Sequence, residues 1–421
     1  MSATATATKT SFSAKLANLK AGLRPAIEVA YKGAIKDHAD VNRVTLEVKD
    51  ADLVASAYGG RLAITISISD MTDDKLGYAS KGEGKFTVNA IDLERCLSSF
   101  PDSETINITV KGNEVVMALD GDSSEVQALP VITGEVQMPS LAKSFEKEVT
   151  IQRGVLLDGI NEVLWATGNE DHKEQYHHWR FIADKDEASF AAGTGGRFKT
   201  WKVTGPKFIS TDTKNVFFFN RDQTPAVQSI LSGVTDESVV IKQANRKGDT
   251  PDQIVIETNS FKLMFVGFDP DLKYPNIDKP IDEPKPFWIK TKVADWEFAT
   301  KGIMATYNED VKKDYDTHES DLQPVVEKDY ILLTAKTGLR SQRKVPILEK
   351  CGNWKDQSED LEFHCSSKYI AEIFQKCRKE DKVQIEYHDV NEKPIFVTSE
   401  VATNALGLQT QYLLFFASMK K

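Results

Sequence analysis

An internal repeat limits what this chain can fold into more than any local signal. Between Asn215 and Phe268 an apolar strand, Val216-Phe217-Phe218-Phe219, leads into a helix signal. Asp222 is the expected N-cap, Pro225 stands in the first turn, and Val227, Ile230 and Leu231 fall at helical spacing before Gly233. Three short strands follow, Val239 to Ile241, Ile254 to Ile256 and Phe261 to Val266, parted by Asn, Gly, Asp and Pro. The same order occurs earlier: Phe86 to Val88, a helix from Ile91 to Ser99, then strands Ile106 to Val110, Val115 to Leu119 and Glu125 to Leu129. It occurs again from Leu361 to Phe363, through a helix from Lys368 to Arg378, to strands at Val383 to Tyr387, Ile395 to Thr398 and Gln411 to Phe416. A recurring unit of this kind fixes the architecture before any motif is read.

Each copy also has a matching first half. Strands at Phe12 to Leu16, Val149 to Ile151 and Phe287 to Ile289 precede helices at about Asn18 to Tyr31, Val155 to Thr167 and Val293 to Tyr307. The last of these carries Trp296, Ala299, Thr300 and Ile303 on one side. After each helix a glycine and a basic residue recur: Gly59-Gly60-Arg61, Gly195-Gly196-Arg197 and Gly338-Leu339-Arg340. Two helices per unit, each with one apolar stripe, would cover one face of curved antiparallel sheets, an α+β architecture. The expected division is a disordered lead at residues 1–10, then domains at 11–143, 144–284 and 285–421, each of ordinary domain size. Boundaries fall near Ser140 to Lys143 and in the proline-rich stretch Pro275 to Pro286. Asn308 to Lys328, dense in Asp and Glu without a clear period, is expected to be an acidic surface loop. Its spacing does not fit an EF-hand.

Composition narrows the function classes. With 40% hydrophobic and 28% charged residues the chain can build real cores. No apolar run approaches the roughly 18 residues of a membrane span, and the Ala- and Thr-rich start lacks the apolar centre of a signal peptide. The four cysteines form no Cys-x-x-Cys pair, so a reducing cytoplasm is the expected location. A net charge of -10 argues against nucleic-acid binding as a whole, yet only the local field counts at a binding face. No nucleophile elbow, His-Glu-x-x-His or carboxylate pair indicates an enzyme, and no cofactor is expected. Gly193 to Arg197 is no phosphate cradle, because a P-loop needs a Lys-Ser/Thr pair and a helix directly after it. His172, His177 and His178 beside Tyr176 and Trp179 invite a zinc reading, but further ligands are not evident beyond the nearby Asp171 and Glu174; loop contacts are preferred and no metal site is assigned.

Three tandem copies of this unit resemble the bacterial DNA polymerase III beta subunit, the sliding clamp, from about Phe12 to Met419. Ala191 to Phe198 is similar to the family's Ala-Thr-Asp-Gly-His-Arg-Leu segment. Phe265 to Ile277, with Lys273-Tyr274-Pro275, resembles its Gly-Arg-Phe-Pro-Asp-Tyr segment. Tyr412 to Phe416 stands where the family ends Tyr-Val-Val-Met-Pro-Met. Phe198 in place of a leucine, Phe415-Phe416 in place of Met-Pro and the added Lys420-Lys421 depart from that pattern, a divergence that would suit a phage or mobile-element clamp.

The resemblance implies a head-to-tail homodimer closing into a ring around double-stranded DNA, tethering the replicative polymerase and mounted by an ATP-driven clamp loader. Weak, sequence-independent phosphate contacts suit sliding. An acidic exterior with a basic lining would reconcile the net charge with that role. The implied DNA-facing residues are Arg24, Lys32, Lys36, Lys173, Tyr176, His177, Lys301, Lys376 and Arg378, with Lys15, Lys20, Lys368 and Lys379 as further candidates. Ordinary solvated helix faces are the plainer reading of these lysines. The implied hydrophobic groove for partner peptides comprises His178, Gly193, Gly195, Arg197, Phe198, Pro275, Leu413 and Phe415; the plainer reading makes Leu413 and Phe415 core positions of a final strand. Subunit contact is expected at edge strands Val115 to Leu119 and Ser124 to Leu129, opposite the helix bearing Trp296 and Phe298. The alternative is a clamp-fold scaffold or decoy that binds peptides without encircling DNA.

Overall fold

Among the described residues six α-helices order the chain: α1 (Leu16–Tyr31), α2 (Ala90–Ser98), α3 (Arg153–Val163), α4 (Thr224–Gly233), α5 (Val293–Met304) and α6 (Ser367–Gln375). The computed structural model describes residues 10–31, 39–49, 52–68, 79–168, 172–194, 197–245, 252–267, 273–275, 281, 285–306, 322–335, 341–351, 367–377, 381–387 and 394–416. Lys32, Lys36, Gly195, Arg378 and Lys379 lie outside the described residues, as does most of the acidic segment. The chain forms two units: Met1–Ile160 with Ala183–Lys185 and Lys207–Leu272, and Asn161–Ile182 with Asp186–Pro206 and Lys273–Lys421.

In the first unit a nine-stranded sheet runs in the order Ile209–Ser210, Lys147–Gln152, Ser238–Ala244, Gln253–Glu257, Phe261–Val266, Leu62–Ser67, Asp52–Tyr58, Arg43–Lys49 and Gly84–Asn89. Its centre is the antiparallel pairing of Phe261–Val266 with Leu62–Ser67, with Leu263 opposite Ile64, which joins segments far apart in sequence. Helix α1 buries Leu16, Leu19, Leu23, Ala26, Ile27, Val29 and Ala30. Each large aliphatic group so buried contributes about 1.5–3 kcal/mol. Gly22 permits the approach: a Cβ there would stand 2.5 Å from Cγ2 of Ile68. Helix α2 is capped by Asn89, whose side chain accepts from the amides of Ile91 and Asp92. Ahead of α4 the cap is Asn220 and not Asp222: the Asn220 side chain accepts from the Asp222 amide at 2.8 Å, and a 3₁₀ turn Arg221–Gln223 intervenes.

A second sheet of the first unit has five strands, in the order Ala79–Lys81, Ser11–Lys15, Thr105–Lys111, Glu114–Leu119 and Asp122–Pro130. Val115 to Leu119 is therefore an inner strand, bonded on both sides, and of the two strands expected at the edge it is Asp122–Pro130 that lies there. Thr10, at the end of the expected lead, is buried and donates from Oγ1 to the Glu83 carbonyl at 2.9 Å.

The second unit holds a sheet in the order His178–Asp184, Glu187–Gly193, Arg197–Thr204, Gln409–Phe416, Ile395–Ser399, Lys382–Tyr387, Phe287–Lys292 and Glu349–Lys350. Arg197–Thr204 pairs along its full length with Gln409–Phe416, again linking distant segments. Helices α5 and α6 pack together through Trp296 and Phe374, whose rings stack at 4.7 Å. Trp296 is 1% exposed and so belongs to the core, whereas Phe298 is 75% exposed. Leu322–Val326, expected within the acidic loop, is a strand with alternating burial that starts a three-stranded sheet with Tyr330–Ala335 and Gln342–Pro346.

Candidate functional site

The helices expected to face DNA carry cations, three of which are paired with acids. Lys20 Nζ lies 2.5 Å from Asp102 Oδ1, and Arg24 Nε lies 3.1 Å from Glu28 Oε1 one turn on. On α5, Lys301 Nζ reaches Glu297 Oε1 at 2.5 Å. In both helical pairs the geometry is the same: the carboxylate is tucked in and the cation stands outward. The Arg24 side chain is 68% exposed against 7% for Glu28, and Lys301 57% against 11% for Glu297. A phosphate arriving from solvent meets the cation first, while at a Debye length of about 8–10 Å the pair is nearly neutral. Lys173 and Lys376 are exposed, and Tyr176 and His177 are half-buried. Between α1 and α4 a cleft of about 550 Å³ is lined by Arg24, Pro25, Glu28, Pro225, Gln228 and Ser229.

The histidines serve the loop that holds them. The ring Nε2 of His177 lies 3.0 Å from the His172 carbonyl, and Nδ1 of His178 lies 3.1 Å from the Glu174 carbonyl. Facing an acceptor, each of these nitrogens must carry the proton, which fixes its tautomer. Among the described residues no group of three His, Cys, Asp or Glu side chains is placed to hold a metal ion.

Of the expected groove residues, Gly193, Arg197, Phe198, Leu413 and Phe415 lie on the adjacent strands Glu187–Gly193, Arg197–Thr204 and Gln409–Phe416. Gly193 must be glycine, since a Cβ would stand 2.1 Å from the Phe198 ring and 2.6 Å from the Arg197 carbonyl. Phe198 is 2% exposed, packed with Ala191 beneath Tyr274. Arg197 pairs with Glu372 of α6, and its guanidinium lies 5.5 Å from the Trp165 ring centroid. On the final strand Tyr412 and Leu414 are buried, whereas Leu413 is half-buried and faces the other way, so Leu413 is not one of its core positions. Phe415 stands opposite Phe198 in the strand register. His178 is nearly buried and Pro275 half-buried.

The sequence assigns no site role to four neighbours that shape this region: Trp165, Arg180, Tyr274 and Lys199. Lys199 is 1% exposed, with Nζ 2.6 Å from Glu162 Oε2 and lying over the rings of Trp165 and Tyr412 at 5.8 and 5.3 Å. Tyr412 donates from its hydroxyl to Asp381 Oδ2 at 3.2 Å, and burial raises its pKa. Burial likewise pushes the Cys377 thiol up to about 11, so it stays protonated at neutral pH.

In sequence the chain matches no family model and no curated protein. Solved structures match over nearly its whole length. The DNA polymerase III beta subunit of Thermotoga maritima is 15% identical, with a TM-score of 0.76, covering 98% of this chain and 100% of that one. A sliding clamp (DNA polymerase III subunit beta) of Pseudomonas aeruginosa bound to griselimycin is 14% identical, with a TM-score of 0.77 and the same coverage. The polymerase sliding clamp of Bacillus subtilis is 11% identical, with a TM-score of 0.74, covering 98% of this chain and 99% of that one. The chain therefore has the fold of the DNA polymerase III beta subunits, as its repeat pattern implied.

Proposed function

We propose that this chain is a sliding clamp: two copies join head to tail around duplex DNA and tether a replicative polymerase through the groove beside Arg197 and Leu413. The likeness in fold over 98% of the chain carries the reading. The three repeats at 11–143, 144–284 and 285–421 would be the clamp domains. The protein would perform no chemistry; ATP would be hydrolysed by a separate loader, and the site of action would be the cytoplasmic replisome. No helix among the described residues is long and apolar enough to cross a membrane.

The joint between copies would use the open edge Asp122–Pro130, where Val126 is 47% exposed, and on the other copy the α5 face bearing Phe298. An unpaired edge strand and a large exposed aromatic are features a soluble protein normally covers. DNA contact would fall to Arg24, Lys173, Tyr176, His177, Lys301 and Lys376, with Lys32, Lys36 and Arg378. Topology would replace affinity: a closed ring need only fail to open, so outward cations backed by carboxylates are sufficient for sliding.

The test is retention on DNA of two topologies. Loaded by a clamp loader and ATP, the protein is expected to co-elute with nicked circular plasmid and to be lost when that plasmid is linearised. Equal retention on both forms, or none on either, would remove the encircling role. The pairing of Arg24 with Glu28 and Lys301 with Glu297 favours one second reading, a scaffold that binds peptides without encircling DNA. That reading predicts peptide binding together with no retention on circular DNA.

A further inference from the structure

The clamp reading leaves the cleft between α1 and α4 without a role, apart from the outward Arg24 at its rim. Its volume of about 550 Å³ falls within the usual span of small-molecule sites, roughly 300–1,000 Å³. Each wall is one helix face. Ala21, Arg24, Pro25 and Glu28 stand at i, i+3, i+4 and i+7 along α1. Pro225, Gln228, Ser229 and Ser232 repeat that spacing along α4. Ala21 and the rings of Pro25 and Pro225 give the walls aliphatic surface.

The polar groups on these walls lean towards accepting protons. Glu28 is 6% exposed, and a carboxylate so deeply buried needs positive partners. Arg24 Nε meets its Oε1 at 3.1 Å, from a side chain that itself stands out into solvent. Ser232 donates its one hydroxyl proton to the Gln228 carbonyl at 2.7 Å, so lone pairs are what it offers the cleft. An anionic ligand would face the Glu28 carboxylate. From Ala21 to Glu28, and from Pro225 to Ser232, the walls run about 10 Å at the helical rise per residue. A flexible chain with positive charges at intervals can follow that length; a single metal ion cannot.

We propose that this cleft binds a linear aliphatic polyamine. One ammonium group bonds the Glu28 carboxylate, a second is met by the side-chain oxygens of Gln228 and Ser232, and the methylene stem lies along the two prolines. The cleft is independent of the ring: both helices belong to the first unit, so a single chain carries it whole.

Titration calorimetry on the full chain tests this with spermidine, and with butylamine as a one-ended probe. Spermidine is expected to bind the parent at one site per chain, and butylamine at least about tenfold more weakly, because it leaves the acceptors on α4 unmet. Glu28→Gln, which keeps the shape and removes the charge, should weaken spermidine by about tenfold or more. Arg24→Gln, which removes the competing cation, should strengthen it roughly two- to threefold. Ser229→Leu changes no charge and fills the cleft, so it should abolish binding while circular dichroism stays that of the parent. This variant separates the cleft from general counterion binding to a chain of net charge -10. Should Ser229→Leu not fold, Ser232→Leu, at an exposed position of the same wall, takes its place. No spermidine binding by the parent, equal binding by the parent and the blocking variant, or butylamine binding as tightly as spermidine would each overturn the proposal.

Discussion

Trp296→Ala is expected to lower the unfolding free energy by about 3–5 kcal/mol, the range for truncating a fully buried aromatic residue. Trp296 is 1% exposed, and its ring lies flat on Phe374 of α6 at an interplanar angle of 7°. Its indole donates from Nε1 to Thr291 Oγ1 at 2.9 Å, and Thr291 is itself fully buried. Alanine therefore leaves a cavity between the two helices and strips a buried hydroxyl of its donor. Trp296→Phe keeps most of the stack and loses the hydrogen bond, so about 1–2 kcal/mol is expected. Urea unfolding followed by circular dichroism measures both. By contrast Phe298→Ala should leave stability within about 0.5 kcal/mol, as surface changes do. A Trp296→Ala variant as stable as the parent would show that the two helices are not held by this contact.

The second large effect is expected at Lys199. Lys199→Ala should cost about 3 kcal/mol, the lower end for breaking a buried ion pair, because the Glu162 carboxylate it leaves is partly open to water. The Glu162 side chain is 34% exposed, against 1% for Lys199. The lysine does three things at once: it bonds Glu162 at the end of α3, lies over Trp165, and lies over Tyr412 on the final strand. Lys199→Met refills the volume and lets Glu162 turn to solvent, so it should recover most of the loss. The double variant Lys199→Met with Glu162→Gln should lie within about 1 kcal/mol of the parent, since replacing both charges of a buried pair is often neutral. The same urea titration decides it; a Lys199→Ala midpoint equal to that of the parent would contradict this account of the cluster.

The repeat was legible because it is written in periodicity. Apolar spacing gave α1, α3, α5 and α6 to within a few residues, and Trp296, Ala299, Thr300 and Ile303 are indeed the buried stripe of α5. That stripe already carried the answer to where Trp296 points. Assigning it to a subunit contact set size and aromaticity above spacing, while Phe298, off the stripe, is the exposed residue. Leu322–Val326 was missed because Pro324 and the run of acids before it hide an alternation only five residues long. Whether a strand lies at an edge depends on pairing and not on its own residues, so Val115 to Leu119 could not be excluded as an edge beforehand. The glutamates behind Arg24 and Lys301 stand four residues away along their helices and could have been read as pairs. Tyr274 could not: only the fold brings it onto Phe198.

The measurement that bears most directly on the central claim is solution mass by light scattering across a dilution series. A head-to-tail ring of two copies predicts a mass near twice the 47.0 kDa chain, steady on dilution. Phe298→Asp, which places a charge on the proposed joint, should bring that mass down to one chain. A single-chain mass for the parent at every concentration would contradict the self-closing ring.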